Sequence, residues 1–320
     1  TTTRYLYFFL TNNYKKQYQV RTLGTFFQNE KGDDYCKIVV NTHLGKGRVQ
    51  NYNTKRNDRR EQNLRGGENQ DYYNKKTSSK SDLLLQRIRN SKTLKDLLIL
   101  HHKHETELRP SHISTSWNKA THFIRNEHKI INTNPRIFLP LINHTITTIK
   151  NFDATSLART AHGIAKISSQ TKISVDPSFW KVLEEEAVKV ELWEARHMSR
   201  ILWAFAKVKQ SAPELFNCMK SKIISKLDTF DSQAMANTVN AYAKLNCEAP
   251  DLFDAISKRA VNQIVNSNPQ ELANIVNAFA KLNHEAPDLF DAVSKRAIIK
   301  IDTFNSQSMA KTVNAFAKHG

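Results

Sequence analysis

The stretch MANTVNAYAKLNCEAPDLFDAISKRA, beginning at Met235, returns almost unchanged as LANIVNAFAKLNHEAPDLFDAVSKRA from Leu272, 37 positions on. A fixed period of this length constrains a chain more than any single residue does. Each unit must be one small module that covers its apolar side only by stacking on a neighbour. The frame runs in both directions: Lys166, Lys207, Lys244, Lys281 and Lys318 follow matching Ala-aromatic-Ala or Gly-Ile-Ala triplets at steps of 41, 37, 37 and 37. Pro177, Pro213, Pro250 and Pro287 each precede an apolar pair, Phe179-Trp180, Leu215-Phe216, Leu252-Phe253 and Leu289-Phe290. Two segments in constant order predict a helical hairpin in every unit.

Within the first segment, Met235 to Leu245, the residues Met235, Ala236, Val239, Tyr242 and Ala243 fall on one arc at about 100° per residue, a helical period. Its start is marked in one unit by Asn268-Pro269-Gln270-Glu271, which combines an N-cap amide, a proline at the first helical position and a glutamate at the third. Asp153, Asp231 and Asn305 are the equivalent caps. Phe152, Phe230 and Phe304 stand just before them, placed to staple against Leu157, Met235 and Met309. The second segment, Pro250 to about Asn266, carries Leu252, Phe253, Ile256, Ala260, Ile264 and Val265 on one side. Further back, Pro135-Arg136-Ile137-Phe138 fits the second-helix frame, Pro110 to Thr121 fits the first, and one helix is expected from Ser81 to His102. About five and a half units result, the last expected to be cut in mid-repeat at Gly320.

Composition divides the chain unequally. Six of its eight glycines lie between Gly24 and Gly67, and all eight prolines come later. Residues 1–80 are rich in Asn, Tyr, Lys and Arg and read as a basic, disordered low-complexity region. Arg4, Lys15, Lys16 and Arg21, with no acid before Glu30, make residues 1–29 compatible with an organellar targeting segment. Residues 81–320 are long enough to bury a core. The expected fold is all-α, a right-handed-type alpha solenoid of stacked helical hairpins behind a basic tail.

A net charge of +18 favours a polyanionic partner. Cys36, Cys218 and Cys247 form no CxxC pair and leave one unmatched, against a disulfide framework or a cysteine-rich zinc site. No apolar run approaches the roughly 20 residues of a membrane helix. Enzyme signatures are also missing: there is no GxxxxGK[ST], HExxH or GxSxG, and Gly45-Lys46-Gly47-Arg48 lacks the context of a nucleotide loop. A non-catalytic protein without cofactors is the expectation. His101-His102-Lys103-His104 has no second ligand pair at metal-binding spacing and reads as an exposed helix end.

Binding residues are sought on the first helix of each unit, opposite the core. That arc holds Asn237, Asn240 and Lys244, then Asn274, Asn277 and Lys281, then Lys311, Asn314 and Lys318. Earlier counterparts are Arg200, Trp203 and Lys207, and Arg159, His162 and Lys166. Stacked helices pack about 8–10 Å apart, so the lysines would form a column that an extended single strand can follow. Amides beside it could read base edges. Each lysine also lies near a helix carboxy terminus, where a cation offsets the macrodipole without any ligand. Asn240, Asn277 and Asn314 could equally form a half-buried ladder between helices, and Trp203 has apolar neighbours that fit core packing. Lys258-Arg259 and Lys295-Arg296 match Glu185-Glu186 of an earlier unit, so the second helices carry no uniform basic ridge and read as a solvated face.

LANIVNAFAKL, MANTVNAYAKL and MSRILWAFAKV resemble the signature of octotricopeptide and heptatricopeptide repeats. These occur in organellar RNA-binding proteins, in FAST-kinase-like leucine-rich proteins with RAP domains, and in a subunit of the kinetoplastid RNA-editing substrate-binding complex. The resemblance covers about residues 93 to 320. It implies a curved solenoid in a mitochondrion or chloroplast that binds single-stranded RNA and aids its processing, stability or editing, together with other ribonucleoprotein subunits. Asn240, Asn277 and Asn314 depart from the pattern, which has a tryptophan at the position of Trp203. A protein–protein scaffold using the same helical surface is the alternative expectation.

Overall fold

The computed structural model describes residues 24–28, 34–38, 79–134 and 136–319. They fall in two units, Thr1–Gly67 and Glu68–Gly320. In the first, strand β1 (Gly24–Gln28) pairs antiparallel with β2 (Asp34–Ile38), Gly24 opposite Ile38 and Gln28 opposite Asp34. This pairing is an element that sequence patterning did not place. Ser79 and Lys80, within the span expected to be disordered, are the cap and first residue of a helix, and the rest of the expected targeting segment at 1–29 and of the disorder over 1–80 concerns residues outside those described.

The second unit contains thirteen α-helices among the described residues. After α1 (Lys80–Asn90) and α2 (Leu94–Lys103), first and second helices alternate. First helices are α3 (Pro110–Thr133), α5 (Ala154–Gln170), α7 (Ala195–Lys207), α9 (Ser232–Leu245), α11 (Pro269–Lys281) and α13 (Ser306–His319). Second helices are α4 (Leu139–Thr148), α6 (Pro177–Lys189), α8 (Pro213–Ser225), α10 (Pro250–Gln263) and α12 (Pro287–Ile299). Each first helix packs along the next, α3 on α5 through to α11 on α13, and these are the most extensive packings in the unit. The second helices touch one another more sparsely. The chain is therefore the expected stack of helical hairpins.

The caps stand where the sequence places them. Asp153 Oδ1 accepts from the Ser156 N–H at 2.8 Å, Asp231 Oδ1 from the Ala234 N–H at 2.7 Å, and Asn305 Oδ1 from the Ser308 N–H at 2.8 Å. Asn268 and Glu271 form a reciprocal box, at 3.0 and 2.9 Å. Each such cap contributes about 1 kcal/mol. Lys209, Asn246 and Asn283, 37 positions apart, leave the first helices through left-handed backbone, with φ of 58°, 55° and 52°.

Two expected helices are corrected toward the amino end. The single helix from Ser81 to His102 is broken at Ser91–Thr93, because Thr93 opens a second capping box with Asp96, as Ser79 does with Asp82. The hairpin partner of α3 begins after Phe138, with Pro140 in its first turn, and not at Pro135. Helix α3 also runs past Thr121 to Thr133 with a kink at Glu127, whose carboxylate accepts from the Leu94 N–H at 2.9 Å.

The core is one continuous seam between the layers. Ala161, Leu202, Val239 and Val276 are fully covered by neighbouring helices, whereas Val313, one step further on, is 58% exposed. Burying one such Leu or Val side chain stabilises by roughly 1.5–3 kcal/mol, so stacking, not helix propensity, holds each hairpin in place. Helices α3 and α5 pack closely at Gly163. A Cβ built on Gly163 would lie 2.9 Å from both the Trp117 Cβ and the Trp117 carbonyl oxygen.

The outer layer is joined differently, by cations on carbonyls of the preceding unit. Lys222 donates to the Glu191 oxygen, Arg259 to Asp228 and Arg296 to Val265, each reaching back 31 residues. Lys226 reaches the Trp193 oxygen and Lys300 that of Ser267, each 33 residues back. Arg259 and Arg296 therefore tie units together, which corrects their reading as part of a solvated face.

His101 is likewise no exposed helix end. It is 2% exposed and lies 3.0 Å from the His144 Nδ1 through its own Nε2. Burial, and then the charges His144 and His102 can carry, lower its pKa from 6.5 to about 3. The folded-state value thus lies below the unfolded one, so its share of stability is complete above pH 6.5 and is lost as pH falls toward about 3. Each pH unit in that window removes at most about 1.4 kcal/mol for this group. Replacing His101 by Leu is expected to reduce the fall in Tm between pH 6.5 and 4; an unaltered pH dependence would mean the group does not titrate on unfolding.

Candidate nucleic-acid interface

The turn of the first helices aims three repeating positions away from the core. At their carboxy ends, Lys207, Lys244 and Lys281 lie in the last turn and are exposed, as is Lys318; Lys166 is half-buried. None of these five makes an ion pair among the described residues. They are near neighbours. Partial burial of its ammonium, and then Lys207, Lys311 and Lys281, hold Lys244 below the ordinary lysine range. Side chains that are 37 residues apart in sequence therefore converge along one face.

Four positions earlier stand His162, Trp203, Asn240, Asn277 and Asn314. All are half-buried except Asn314, which is exposed. Asn277, Ala280 and Lys281 of α11 line an open groove with Asn314, Ala317 and Lys318 of α13. At the third position, seven before the lysines, Arg159, Arg200, Asn237 and Lys311 are half-buried. Asn274 differs: it is only 7% exposed, and its Oδ1 accepts from the Lys311 ammonium at 3.2 Å. It holds a cation of the next unit, and neither residue lines that groove.

Charge separates the two layers. Across α5, α7, α9, α11 and α13 the sole acid is Glu271, consumed in its capping box, while every one of these helices carries a lysine. The second helices mix signs: Glu184, Glu185, Glu186, Glu214, Asp251, Asp254, Asp288 and Asp291 offset their lysines and arginines. An uncompensated cationic strip above a low-dielectric core projects a positive potential that attracts anions.

Two features escaped the sequence. Arg196, one turn before Arg200, acts on it electrostatically together with Arg159, and burial foremost and then these two like charges lower the Arg200 pKa. The His162 and Trp203 rings meet at 4.9 Å between centroids with a 35° tilt, and the Lys207 ammonium lies 5.9 Å from the indole. The i,i+4 step from Arg196 to Arg200 was the available signal for the first. The second required two helices to be in register.

A run of helical hairpins with one cationic side defines residues 110–319 as an alpha-solenoid repeat. Residues 176–320 match the family model of the RNA-editing substrate-binding complex 6 protein. Over these residues the resemblance to a subunit of that complex is borne out. No curated protein matches the chain.

Proposed function

We propose that the chain is a non-catalytic component of a mitochondrial RNA-editing complex and binds single-stranded RNA along the exposed face of its first helices. The family match supports the complex, and RNA-editing complexes of this kind are mitochondrial in general. The observation that carries RNA contact is the convergence of Lys207, Lys244 and Lys281 without an acidic partner, beside a row of carboxamides. Phosphates neutralise such a row, and Asn240, Asn277 and Asn314 offer paired donors and acceptors to base edges. Among the described residues no helix is long and apolar enough to cross a membrane.

Four to five phosphates on the lysine column give an expected slope of log affinity against log salt of about −3, from roughly −0.7 per contact on a single strand. Titrating the full chain with single-stranded RNA over a salt series measures it. A chain that binds no single-stranded RNA at low salt would overturn the reading. A scaffold role has its own support in Ile298 and Ile299, apolar side chains 69% and 73% exposed on α12, which suit a protein partner.

A further inference from the structure

The face is not uniform along its length. In α9 and α11 the three repeating positions are Asn-Asn-Lys, and in α13 Lys-Asn-Lys. In α5 and α7 they are Arg159-His162-Lys166 and Arg200-Trp203-Lys207. Arginine and an aromatic ring therefore replace amides on two adjacent helices, and the replacement is joined in space by the His162–Trp203 contact.

From this juxtaposition we infer that α5 and α7 form a nucleotide anchor. One unpaired RNA base stacks on the half-buried Trp203 indole beside His162, and its flanking phosphate is held by Arg159, Arg196 and Arg200. The inference rests on the RNA reading above and adds where the strand is fixed. Trp203 is half-buried and packed against the core, whereas Trp117, Trp180 and Trp193 are 1%, 3% and 1% exposed. A platform needs a ring that is held in position and still reachable from solvent. Arg200 and Trp203 are three residues apart on one helix, about 5–6 Å between Cβ atoms, a span suited to the phosphate and base of a single nucleotide. Among the described residues the guanidinium groups of Arg159, Arg196 and Arg200 form no ion pair. Glu194, the nearest in sequence, is turned to His197 at 3.5 Å and is otherwise exposed. Burial, then Arg200 and Lys166, lower the His162 pKa to about 4, so its ring is neutral at pH 7 and backs the indole without adding charge. Arginine suits the phosphate role because its planar fork binds two oxygens at once. Beyond α7 the amide-lined units can hold following nucleotides without fixing their register.

Tryptophan fluorescence tests the anchor, since Trp203 is the accessible tryptophan of the four. The full chain is titrated with a short oligoadenylate and, in parallel, with an abasic ribose-phosphate strand of equal length. Oligoadenylate is expected to quench the accessible emission and the abasic strand to bind without quenching. Trp203→Phe should abolish the signal while keeping binding. Trp203→Leu and, independently, the exposed Arg196→Gln should each weaken oligoadenylate binding about tenfold. Arg196→Gln keeps the test valid should Trp203→Leu disturb packing. Oligoadenylate that binds with no change in emission, and with wild-type affinity for Arg196→Gln, overturns the anchor and leaves the lysine column standing. Failure of oligoadenylate to bind at all removes both. Binding of an acidic peptide to the arginines in its place assigns the cluster to a protein partner and also overturns the anchor.

Discussion

Replacing Lys207, Lys244 and Lys281 together by glutamine is expected to weaken single-stranded RNA binding roughly fiftyfold at 0.15 M salt and to flatten the log–log salt slope by about 2. Three phosphate contacts at roughly 0.7 released counterions each give both figures. The three residues are exposed as a whole and make no ion pair among the described residues, so glutamine should leave the fold intact. Their helix-terminal position costs at most about 0.3–1 kcal/mol each in lost dipole compensation, which a Tm measurement would register separately. A variant with wild-type slope and affinity would remove the column from the binding surface. Loss of affinity with an unchanged slope would indicate that the residues act through structure and not through phosphate neutralisation.

Alanine at Gly163 is expected to destabilise the protein by about 1–3 kcal/mol, although alanine is favoured over glycine by about 1 kcal/mol inside a helix. The added methyl would sit 2.9 Å from the backbone oxygen and Cβ of Trp117, atoms that cannot swing aside. Trp117 is itself fixed, with its indole N–H donating to Thr145 Oγ1 at 2.9 Å and its ring stacked on Phe138. Relief requires α3 to move off α5. Units further along carry Ala204, Ala241, Ala278 and Ala315 in the same register, so their first helices accept a methyl that this junction does not. Urea unfolding of the single variant measures the effect; stability equal to or above wild type would mean that the two helices separate without loss.

The later units were legible because their repeat is nearly literal. Cap, proline and apolar pair recur together, and Asp231, Asn268 and Asn305 bond as their types require. Before Phe152 the same logic weakens. Leu83, Leu84, Ile88, Leu94, Leu97 and Leu98 recur with roughly helical spacing on both sides of the break at Ser91–Thr93, so apolar spacing alone could not reveal two capped helices. Of the site, the lysine column was readable since its spacing is the period itself. The burial of Asn274 was not, because it depends on Lys311 of the following unit reaching back over it. Arg196 was missed for the opposite reason: its counterparts Gln233, Gln270 and Gln307 carry no charge, so a search for recurrence passes over it. Periodicity finds what units share, and here part of the chemistry lies where they differ.

The unequal joining of the two layers sets how the stack can flex. Broad apolar packing links the first helices, while single bonds such as Arg259 to Asp228 and Lys300 to Ser267 bridge the second ones. Breaking a few solvent-competed bonds is easier than prying apart a close-packed seam. Thermal breathing will therefore fan the outer edge open about an inner spine of nearly constant length, and a polymer laid along that spine would keep its rise per unit while the back of the molecule splays.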